Sequence, residues 1–405
     1  MQLVYGVLRH RQNLDRALEL LSRTPLRKLD PFVHQALAVG LYQLLYLERI
    51  PDSAAVNEAV ESCKAAKIPQ RLHGFVNGIL RQAIRQKNDL AAKALTDRDG
   101  KPLLNHPAWL LKRWRQDFGF EETERICRVN SCEPALVLRV NGYAITRDDF
   151  LRLLEDAGIA CRRGAYSTGA VILPDFHGSI TTIPGYAEGY FQVQDEAAQL
   201  ATRLLGPFRA GTRYLDGCAG LGGKTSHLLQ LAKQHQLQLH AVEPEPHRLK
   251  KLEENLARLF GSERPVIHEG NLQQFSLLHE QLLFDGILID APCSGTGVTG
   301  RHPDIRWNRR PEELPRYHQE QLALLRLAAR HVKPCGLLLY ATCSLEPEEN
   351  QQVIDEFLRT DRQFLLTDCS PYLPQAAHRF VENKLFAPHP SETIDGFFAA
   401  RMQRT

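Results

Sequence analysis

Short apolar segments alternate with helical segments from about residue 186 onwards, and this alternation limits the fold more than any other feature of the sequence. The apolar segments are TRYLDG, LQLHAVE, RPVIHEG, FDGILID and GLLLYAT. Buried strands that alternate with helices are typical of a parallel sheet covered by helices on both faces. We therefore predict a doubly wound, mostly parallel α/β sheet for residues 186–405.

Two regions of different pattern precede this sheet. Residues 1–90 place Leu, Val, Ala and Tyr at three- and four-residue spacing, as in LDRALELL and FVHQALAVGLYQLLYL, which predicts an all-α domain. Within residues 105–185, the strand-like segments ALVLRVN and GAVILPDF flank the amphipathic segment TRDDFLRLLEDAGI, which predicts a small α+β domain. The polar, turn-rich stretch 87–102 is predicted to be a linker.

The charge of the chain is distributed unevenly. Its net charge is +3 over 405 residues, but residues 1–120 hold 19 Lys and Arg against 11 Asp and Glu. This basic first third indicates RNA or DNA as a partner, although solvated helix faces would explain the charge equally well. No apolar run reaches the roughly 20 residues of a membrane span, and no signal-peptide pattern is found. The nine cysteines contain no Cys-x-x-Cys, which indicates cytosolic thiols and no metal site.

The stretch YLDGCAGLGGKTSHL (214–228) has the order of a strand, a tight turn and a helix, in which backbone N–H groups hold a ligand. A nucleotide P-loop would need a glycine at Cys218, and a dinucleotide motif would need one at Thr225, so the spacing excludes both. A nucleoside-type cofactor remains. Glu243 ends the next strand-like segment, where an acidic side chain accepts hydrogen bonds from ribose hydroxyls. Loop and acid together favour S-adenosylmethionine.

Two cysteines directly follow apolar strands, Cys293 in ILIDAPCSGTG and Cys343 in LLLYATCSLEPEEN. Because ligands gather at the carboxyl ends of strands in such a sheet, we expect both loops to open on the crevice of the glycine loop. A lone buried cysteine is ordinarily a small hydrophobe, but two at one crevice indicate catalysis. A thiolate that adds to carbon 6 of cytosine makes carbon 5 nucleophilic enough to accept a methyl group. A second thiol can then assist release of the product.

The segments DAPCSGTG and ATCSLEPEEN together resemble the NOL1/NOP2/Sun family of RNA 5-methylcytosine methyltransferases, and FQVQDEAAQL, RHPDIRW and DGFFAARM are similar to other stretches of that family. The segment YGVLRHRQNLDRAL resembles the NusB-like RNA-binding domain of its bacterial RsmB (Sun/Fmu) branch, which methylates 16S ribosomal RNA. The resemblance implies a NusB-like domain (1–90), a small α+β domain (105–185) and a Rossmann-like methyltransferase domain (186–405). We expect a cytoplasmic monomer that uses no metal and contacts no membrane.

The resemblance also implies a role for individual residues. Cys343 matches the family's nucleophile, and Cys293 matches the cysteine that assists product release. Cofactor binding is implied for Glu243 at the ribose, for Asn271 near the adenine, and for Asp290 near the methionine end and the target base. It is also implied for the glycine loop, which consists of Cys218, Ala219, Gly220, Leu221, Gly222, Gly223 and Lys224. Lys224 is expected either to support the helix N-terminus or to lie close to the substrate.

Three features depart from the family pattern. Gly220-Leu221 stands where the family has Ala-Pro, and the loss of proline predicts a loop less rigid by about 0.5–1 kcal/mol. Asn271 stands where the family usually has Asp, which keeps an acceptor and adds a donor. The sequence also starts inside the expected helical domain, so we expect missing leading helices, low stability of residues 1–90 and an exposed apolar patch. The residues of that patch are Leu3, Val4, Val7 and Leu8.

A basic, proline-containing stretch, RHPDIRWNRRPEELPR (301–316), follows the first cysteine loop. Its residues that favour RNA contact over simple solvation are Arg301, Arg306, Trp307, Arg309, Arg310 and Arg316. Two other functions compete with methylation of 16S RNA. One is the same reaction on another RNA, and the other is a non-catalytic RNA-binding assembly factor that keeps the fold. The two cysteines argue against the assembly factor, since a binding module needs neither.

Overall fold

The computed structural model describes residues 1–405. Its helices are α1 (Gln2–Arg9), α2 (Arg11–Leu21), α3 (Pro31–Tyr46), α4 (Asp52–Ala65), α5 (Gln70–Arg85), α6 (Lys87–Lys93), α7 (Ala108–Phe118), α8 (Phe120–Ser131), α9 (Arg147–Asp156), α10 (Glu196–Arg203), α11 (Gly223–His235), α12 (Pro246–Phe260), α13 (Leu272–Leu278), α14 (Ile305–Asn308), α15 (Leu314–Ala329) and α16 (Gln351–Thr360). Its strands are β1 (Leu136–Val140), β2 (Arg162–Arg163), β3 (Ala170–Leu173), β4 (Phe191–Val193), β5 (Arg213–Asp216), β6 (Gln238–Glu243), β7 (Val266–Glu269), β8 (Phe284–Asp290), β9 (Val332–Thr342), β10 (Phe364–Thr367), β11 (Val381–Glu382), β12 (Leu385–Phe386) and β13 (Phe398–Arg404).

The chain forms two compact units. Unit 1 consists of Met1–Glu133 and Thr299–Asn308, and unit 2 consists of Pro134–Val298 and Arg309–Thr405. None of the helices combines the length and the apolar composition that a membrane crossing requires.

Unit 1 is built from helices, as the spacing of apolar residues predicted. Helix α3 starts at Asp30, whose carboxylate accepts hydrogen bonds from the N–H groups of Phe32 and Val33, so that this helix end is satisfied locally. The prediction of a linker over 87–102 is wrong in its first part, because α6 occupies Lys87–Lys93. Leu90 and Ala94 are four residues apart, lie on one helical face and are buried in the core of unit 1.

The apolar residues at the start of α1 are covered to different extents. Val4 is 58% exposed. Leu3 and Val7 are partly buried and pack against the core of unit 1. Leu8 is also only partly exposed. The predicted exposed patch is therefore wrong for Leu3, Val7 and Leu8, and Val4 alone of the four is exposed.

Residues Thr299–Asn308 follow the Cys293 loop in the sequence but belong to unit 1. Arg306 is fully buried there, and its guanidinium donates to the carbonyls of Asn105, Asn130 and Thr299. The prediction that Arg306 contacts RNA is therefore wrong. A guanidinium is planar and has five donors, so it can satisfy several backbone carbonyls at once. Arg306 has this structural role in the interior of unit 1.

Other residues of this basic stretch have more varied surroundings. The Trp307 indole N–H donates to the carbonyl of Leu8, and the Arg11 guanidinium lies 5.0 Å from the Trp307 ring centre. In unit 2, Arg309 donates to the carbonyl of Ser294. Arg310 and Arg316 are exposed. RNA contact remains a prediction for these two and for Arg301, Trp307 and Arg309.

The first part of unit 2 is a small antiparallel sheet with strand order β2-β3-β1-β4. Helix α9 begins after Thr146, whose hydroxyl accepts from the N–H of Asp149. Its apolar face buries Phe150 and Leu154 in a core shared with Phe191. This arrangement is the small α+β fold that the sequence predicted.

The second part of unit 2 is a large mixed sheet with strand order β11-β12-β13-β9-β8-β5-β6-β7, to which β10 adds by pairing with β13. Strands β9, β8, β5, β6 and β7 run parallel, and β13 pairs with β9 in the antiparallel direction. Helices α10, α11 and α12 contribute to one apolar core, and α13, α15 and α16 to another. The predicted doubly wound, mostly parallel sheet is thus confirmed, with an antiparallel extension beyond β9.

Strand register brings four chain segments to one edge of this sheet. Asp216 ends β5 and pairs with Leu288 of β8 and Ala241 of β6, while Asp290 ends β8 and pairs with Ala341 of β9. Glu243 ends β6. Because parallel strands end together, the loops that follow all four strands meet at the same edge.

Two histidines on adjacent strands make the stability of unit 2 depend on pH. His240 Nδ1 and His268 Nε2 are 3.0 Å apart, and burial lowers the pKa of His240 to about 4, with His268, Arg213 and His279 adding to the effect. Since an unfolded histidine has a pKa of about 6.5, protonation favours the unfolded chain. The contribution of His240 to the free energy of unfolding is fully present above pH 6.5 and is lost as the pH falls towards 4. We expect a loss of roughly 2 kcal/mol from this group.

Urea denaturation at pH 7 and at pH 4.5 measures this loss. A His240→Gln variant should lose less stability than the wild type between these two pH values, because glutamine does not titrate. An equal loss in both proteins would contradict the assignment to His240.

Candidate active site

The two cysteine loops meet beyond the carboxyl ends of β8 and β9. Cys293 Sγ and Cys343 Sγ are 3.4 Å apart, and both side chains are half-buried. The loops are also joined through the backbone, since the N–H of Gly297 donates to the carbonyl of Cys343. A side chain at Gly297 would place its Cβ 2.4 Å from the carbonyl oxygen of Gly396, so that only glycine permits this approach. Tertiary structure therefore holds two thiols, fifty residues apart in sequence, in contact.

Local charges distinguish the two thiols. The hydrogen bond with Cys343, followed by burial and by the negative charges of Cys343 and Glu349, raises the pKa of Cys293 well above its ordinary value. The Lys224 ammonium lies within electrostatic range of Cys343. Cys293 is therefore the protonated thiol of the pair, while the positive charge of Lys224 lies near the other sulfur.

Lys224 lies in the first turn of α11 and reaches the end of β8. Its Nζ is 2.7 Å from Asp290 Oδ2, and it lies 5.1 Å from the centre of the Phe397 ring. Burial lowers the pKa of Lys224, but the Asp290 carboxylate more than compensates and the net shift is upwards. Lys224 thus carries its charge into the crevice of the cysteines from the first turn of α11, and its position close to the substrate stays a prediction.

The glycine loop connects β5 to α11. It is anchored by Asp216 and Thr225, which the sequence analysis did not select as site residues. Asp216 accepts from the hydroxyl of Thr225 at 2.8 Å and from the N–H of Cys218 at 3.3 Å. Burial raises the pKa of Asp216 to about 6. An acidic residue at a strand end directly before a glycine turn was the available signal. Gly222 has φ +87°, a conformation that other residues adopt only with strain, and a Cβ there would also lie 2.5 Å from Leu252 Cδ1.

The rest of the loop forms a cradle above the end of β6. Gly220 has φ +57°, and its N–H donates to Glu243 Oε2 at 2.8 Å. Ala219 donates to the carbonyl of Val242, while Leu221 is half exposed. The turn is therefore held by the strand beneath it, and only Leu221 projects strongly into solvent.

Glu243 provides the chemistry that a nucleoside cofactor needs. The side chain is 2% exposed, and its second oxygen accepts from the N–H of Glu245 at 2.9 Å. Each carboxylate oxygen can accept more than one hydrogen bond, so that both retain capacity for ribose hydroxyls. A carboxylate at this place, with the loop N–H groups beside it, fits such a cofactor.

Asn271 serves as the N-cap of α13. Its side chain accepts from the N–H of Gln274, and the Gln274 side chain accepts from the N–H of Asn271, which forms a capping box. Asn and Asp cap helices equally well, so the departure from the family's Asp costs the helix little. The neighbouring Gly270 donates to the backbone carbonyl of Glu243. Asn271 therefore lies at the same sheet edge, but its own hydrogen bonds join it to α13 rather than to the glycine loop.

A further acidic residue, Glu349, lies beneath both cysteine loops and was not selected from the sequence. It is fully buried and accepts hydrogen bonds from Ser294 and Ser344, the residues that follow the two cysteines. The signal was present in ATCSLEPEEN, where three glutamates follow Cys343, but only the fold shows which of them turns inwards.

Three family models match the chain in succession. Residues 1–85 match the NusB family, residues 106–178 match the ferredoxin-like domain of the RsmF/B-like methyltransferases, and residues 203–403 match the 16S rRNA methyltransferase RsmB/F family. The family resemblance predicted from the sequence is therefore confirmed, and so are the NusB and α+β folds.

Two relatives are similar to the chain over almost its whole length. The ribosomal RNA small subunit methyltransferase B of Serratia proteamaculans is 39% identical over 99% of this chain and 89% of the relative. Its counterpart from Vibrio cholerae is 37% identical over 100% and 88%. Among solved structures, PH0851 aligns with a TM-score of 0.76 at 25% identity, covering 100% of this chain and 89% of that one. The structure of NSun6 from Pyrococcus horikoshii with SFG shares the fold, with a TM-score of 0.64 at 20% identity over 74% and 98%. The chain belongs to the RsmB/F family of ribosomal RNA methyltransferases.

Proposed function

We propose that this protein methylates carbon 5 of a cytosine in 16S ribosomal RNA through a covalent cysteine adduct. The 3.4 Å separation of the Cys293 and Cys343 sulfurs, beside the Lys224–Asp290 ion pair, is the observation that carries this proposal. An RNA-binding assembly factor has no need of two thiols in contact next to a buried cation. The small-subunit RNA as substrate is supported by the relatives from Serratia and Vibrio.

The residues at the sheet edge fit S-adenosylmethionine as the cofactor. When bound, this cofactor supplies an electrophilic methyl group on a sulfonium. We assign the ribose hydroxyls to Glu243, the methionine end to Asp290, and the surrounding contacts to the loop from Cys218 to Lys224. Asn271 is assigned to the adenine side of the same site. NSun6 was solved with SFG, an analogue of this cofactor, which supports S-adenosylmethionine as the cofactor.

The two thiols have different roles in the proposed reaction on the cytosine base. The Cys343 thiolate adds to carbon 6 of a cytosine that has been flipped out of its stack, and carbon 5 becomes nucleophilic. Once its sulfur is bound to carbon, Cys343 no longer carries the charge that raises the pKa of Cys293. Cys293 then releases its proton to solvent more easily, and the resulting Cys293 thiolate accepts the proton that leaves carbon 5. Elimination breaks the bond between carbon 6 and Cys343 Sγ and restores the aromatic base.

Bisulfite sequencing of ribosomal RNA from a deletion strain tests the substrate and the reaction together. We expect one 5-methylcytosine to disappear from 16S RNA and to return when the wild-type gene is restored. An unchanged 16S RNA, together with a lost 5-methylcytosine in another RNA, would place the same reaction on a different substrate. Unchanged methylation in every RNA would favour the assembly factor.

Substitution of Glu243 should weaken cofactor binding strongly. Glu243→Ala removes the ribose acceptor and leaves buried hydroxyls and the N–H of Gly220 unpaired, which costs about 1–3 kcal/mol, or roughly ten- to hundredfold in Kd. Titration calorimetry with S-adenosylhomocysteine measures this loss. A matched Glu245→Ala variant should bind as the wild type does, because Glu245 contributes only a backbone N–H to this network. Equal affinities of the Glu243→Ala variant and the wild type would remove Glu243 from the site.

The domain division into 1–90, 105–185 and 186–405 is part of the same proposal, as are the monomeric state and the cytoplasmic location. The NusB, ferredoxin-like and RsmB/F matches follow one another in this order and support three domains. Light scattering on a sizing column tests the monomer, and cell fractionation tests the location.

A further inference from the structure

Glu349 is a buried carboxylate that contacts both cysteine loops. Its Oε1 accepts from the N–H of Ser294 at 2.8 Å and from Gln321 Nε2 at 3.0 Å. Its Oε2 accepts from the hydroxyl of Ser344 at 2.5 Å and from the hydroxyl of Ser294. Four donors thus fill the acceptor sites of one carboxylate, and three of them come from residues directly after Cys293 and Cys343.

Further hydrogen bonds fix the backbone of Glu349 and the side chain of its partner Gln321. The Tyr340 hydroxyl donates to the backbone carbonyl of Glu349, and Gln321 is itself fully buried and also donates to the carbonyl of Pro292. No lysine or arginine forms an ion pair with Glu349. Its charge is stabilised only by neutral donors, although the burial of a charge is costly unless it is well hydrogen-bonded. Positions that break a general rule of stability in this way are often functional.

We propose that Glu349 is a positioning residue that fastens the Cys293 loop to the Cys343 loop and so keeps the two sulfurs in contact. One carboxylate reaches both loops because Ser294 and Ser344 lie next to each other, with their hydroxyl oxygens 3.1 Å apart. The same carboxylate places a negative charge near Cys293 and helps to raise the pKa of that thiol. Glu349 thereby sets the distance between the thiols and contributes to the raised pKa of Cys293.

This role rests on the proposed use of both cysteines in catalysis, but it has consequences that can be measured without RNA. In the wild type, diamide should oxidise Cys293 and Cys343 rapidly to a disulfide, because the reagent takes up two electrons and two protons from thiols already in contact. Glu349→Gln replaces an acceptor oxygen by a donor NH₂ group, which cannot accept from the serine hydroxyls. We expect it to slow this oxidation at least tenfold and to lower the pH at which iodoacetamide alkylates Cys293. Mass spectrometry of the peptides containing each cysteine reports both.

The same variant should lower kcat for RNA methylation at least tenfold with little change in KM, since Glu349 contacts the cysteine loops and not the RNA. Glu320→Gln is the matched control, because Glu320 is exposed on α15 next to Gln321 and forms an ion pair with Arg316. It should behave as the wild type does in all three measurements.

A folded Glu349→Gln variant with wild-type oxidation and alkylation would overturn the role of Glu349. If these thiol measurements change while no RNA is methylated even by the wild type, the proposed function fails and the positioning role stands. If Glu349→Gln does not fold, the double variant Ser294→Ala/Ser344→Ala replaces it, since it keeps the carboxylate and removes the two hydroxyl contacts. Slower oxidation of that variant would support the proposal, and an unchanged rate would overturn it.

Discussion

Replacement of Cys343 by alanine should abolish both methyl transfer and the covalent complex with RNA. Without the thiolate, carbon 5 of cytosine has no route to the nucleophilic form, and the loss should exceed about a thousandfold in kcat/KM. The structure supports this choice of nucleophile because Lys224 lies near Cys343 while Cys293 is kept protonated. Incorporation of labelled methyl groups and denaturing gels of enzyme–RNA mixtures measure the two losses.

Replacement of Cys293 by alanine should have a different result. The adduct through Cys343 still forms, but the proton on carbon 5 has no acceptor, so the enzyme should accumulate as a covalent complex with methylated RNA. Replacement of Cys335, an exposed thiol, is the matched control and should change neither activity nor adduct. An adduct that survives in Cys343→Ala and disappears in Cys293→Ala would reverse the two roles.

Replacement of Arg306 should destabilise unit 1 more than any other single change in the basic stretch. Arg306→Met keeps much of the side-chain volume but leaves the carbonyls of Asn105, Asn130 and Thr299 without their buried donors. We expect a loss of about 3–5 kcal/mol in the free energy of unfolding of unit 1. Urea denaturation, with limited proteolysis to identify the unit that opens first, measures this loss.

The matched control for this prediction is Arg310→Met, since Arg310 is exposed in the same stretch. It should change the free energy of unfolding by less than about 0.5 kcal/mol. If Arg306→Met unfolds as the wild type does and instead weakens RNA binding, the interpretation of Arg306 as an RNA contact would be restored.

Much of the catalytic fold could be predicted from the sequence because its signals are local. Alternating apolar strands and helices determine a parallel sheet, and the ends of parallel strands meet at one edge. Residues placed directly after those strands, such as Glu243, Asp290, Cys293 and Cys343, therefore converge whatever the details of packing. The resemblance to the family rested on the same strand-end motifs, and the comparisons with known proteins confirmed it.

The sequence did not show which polar side chains turn inwards. Arg306 lies among arginines that suit RNA equally well, yet its partner Asn105 is 201 residues away along the chain. Glu349 is one of three glutamates after Cys343, of which Glu346 and Glu349 are both fully buried, and only the packing of α15 and the Cys293 loop brings Glu349 to both cysteine loops. Leu90 lies in a polar stretch of the sequence, and its burial follows only from the packing of α6 against the other helices of unit 1. Periodicity reports how a segment meets its immediate surroundings, whereas the burial of a single polar group depends on partners that only the tertiary structure brings to it.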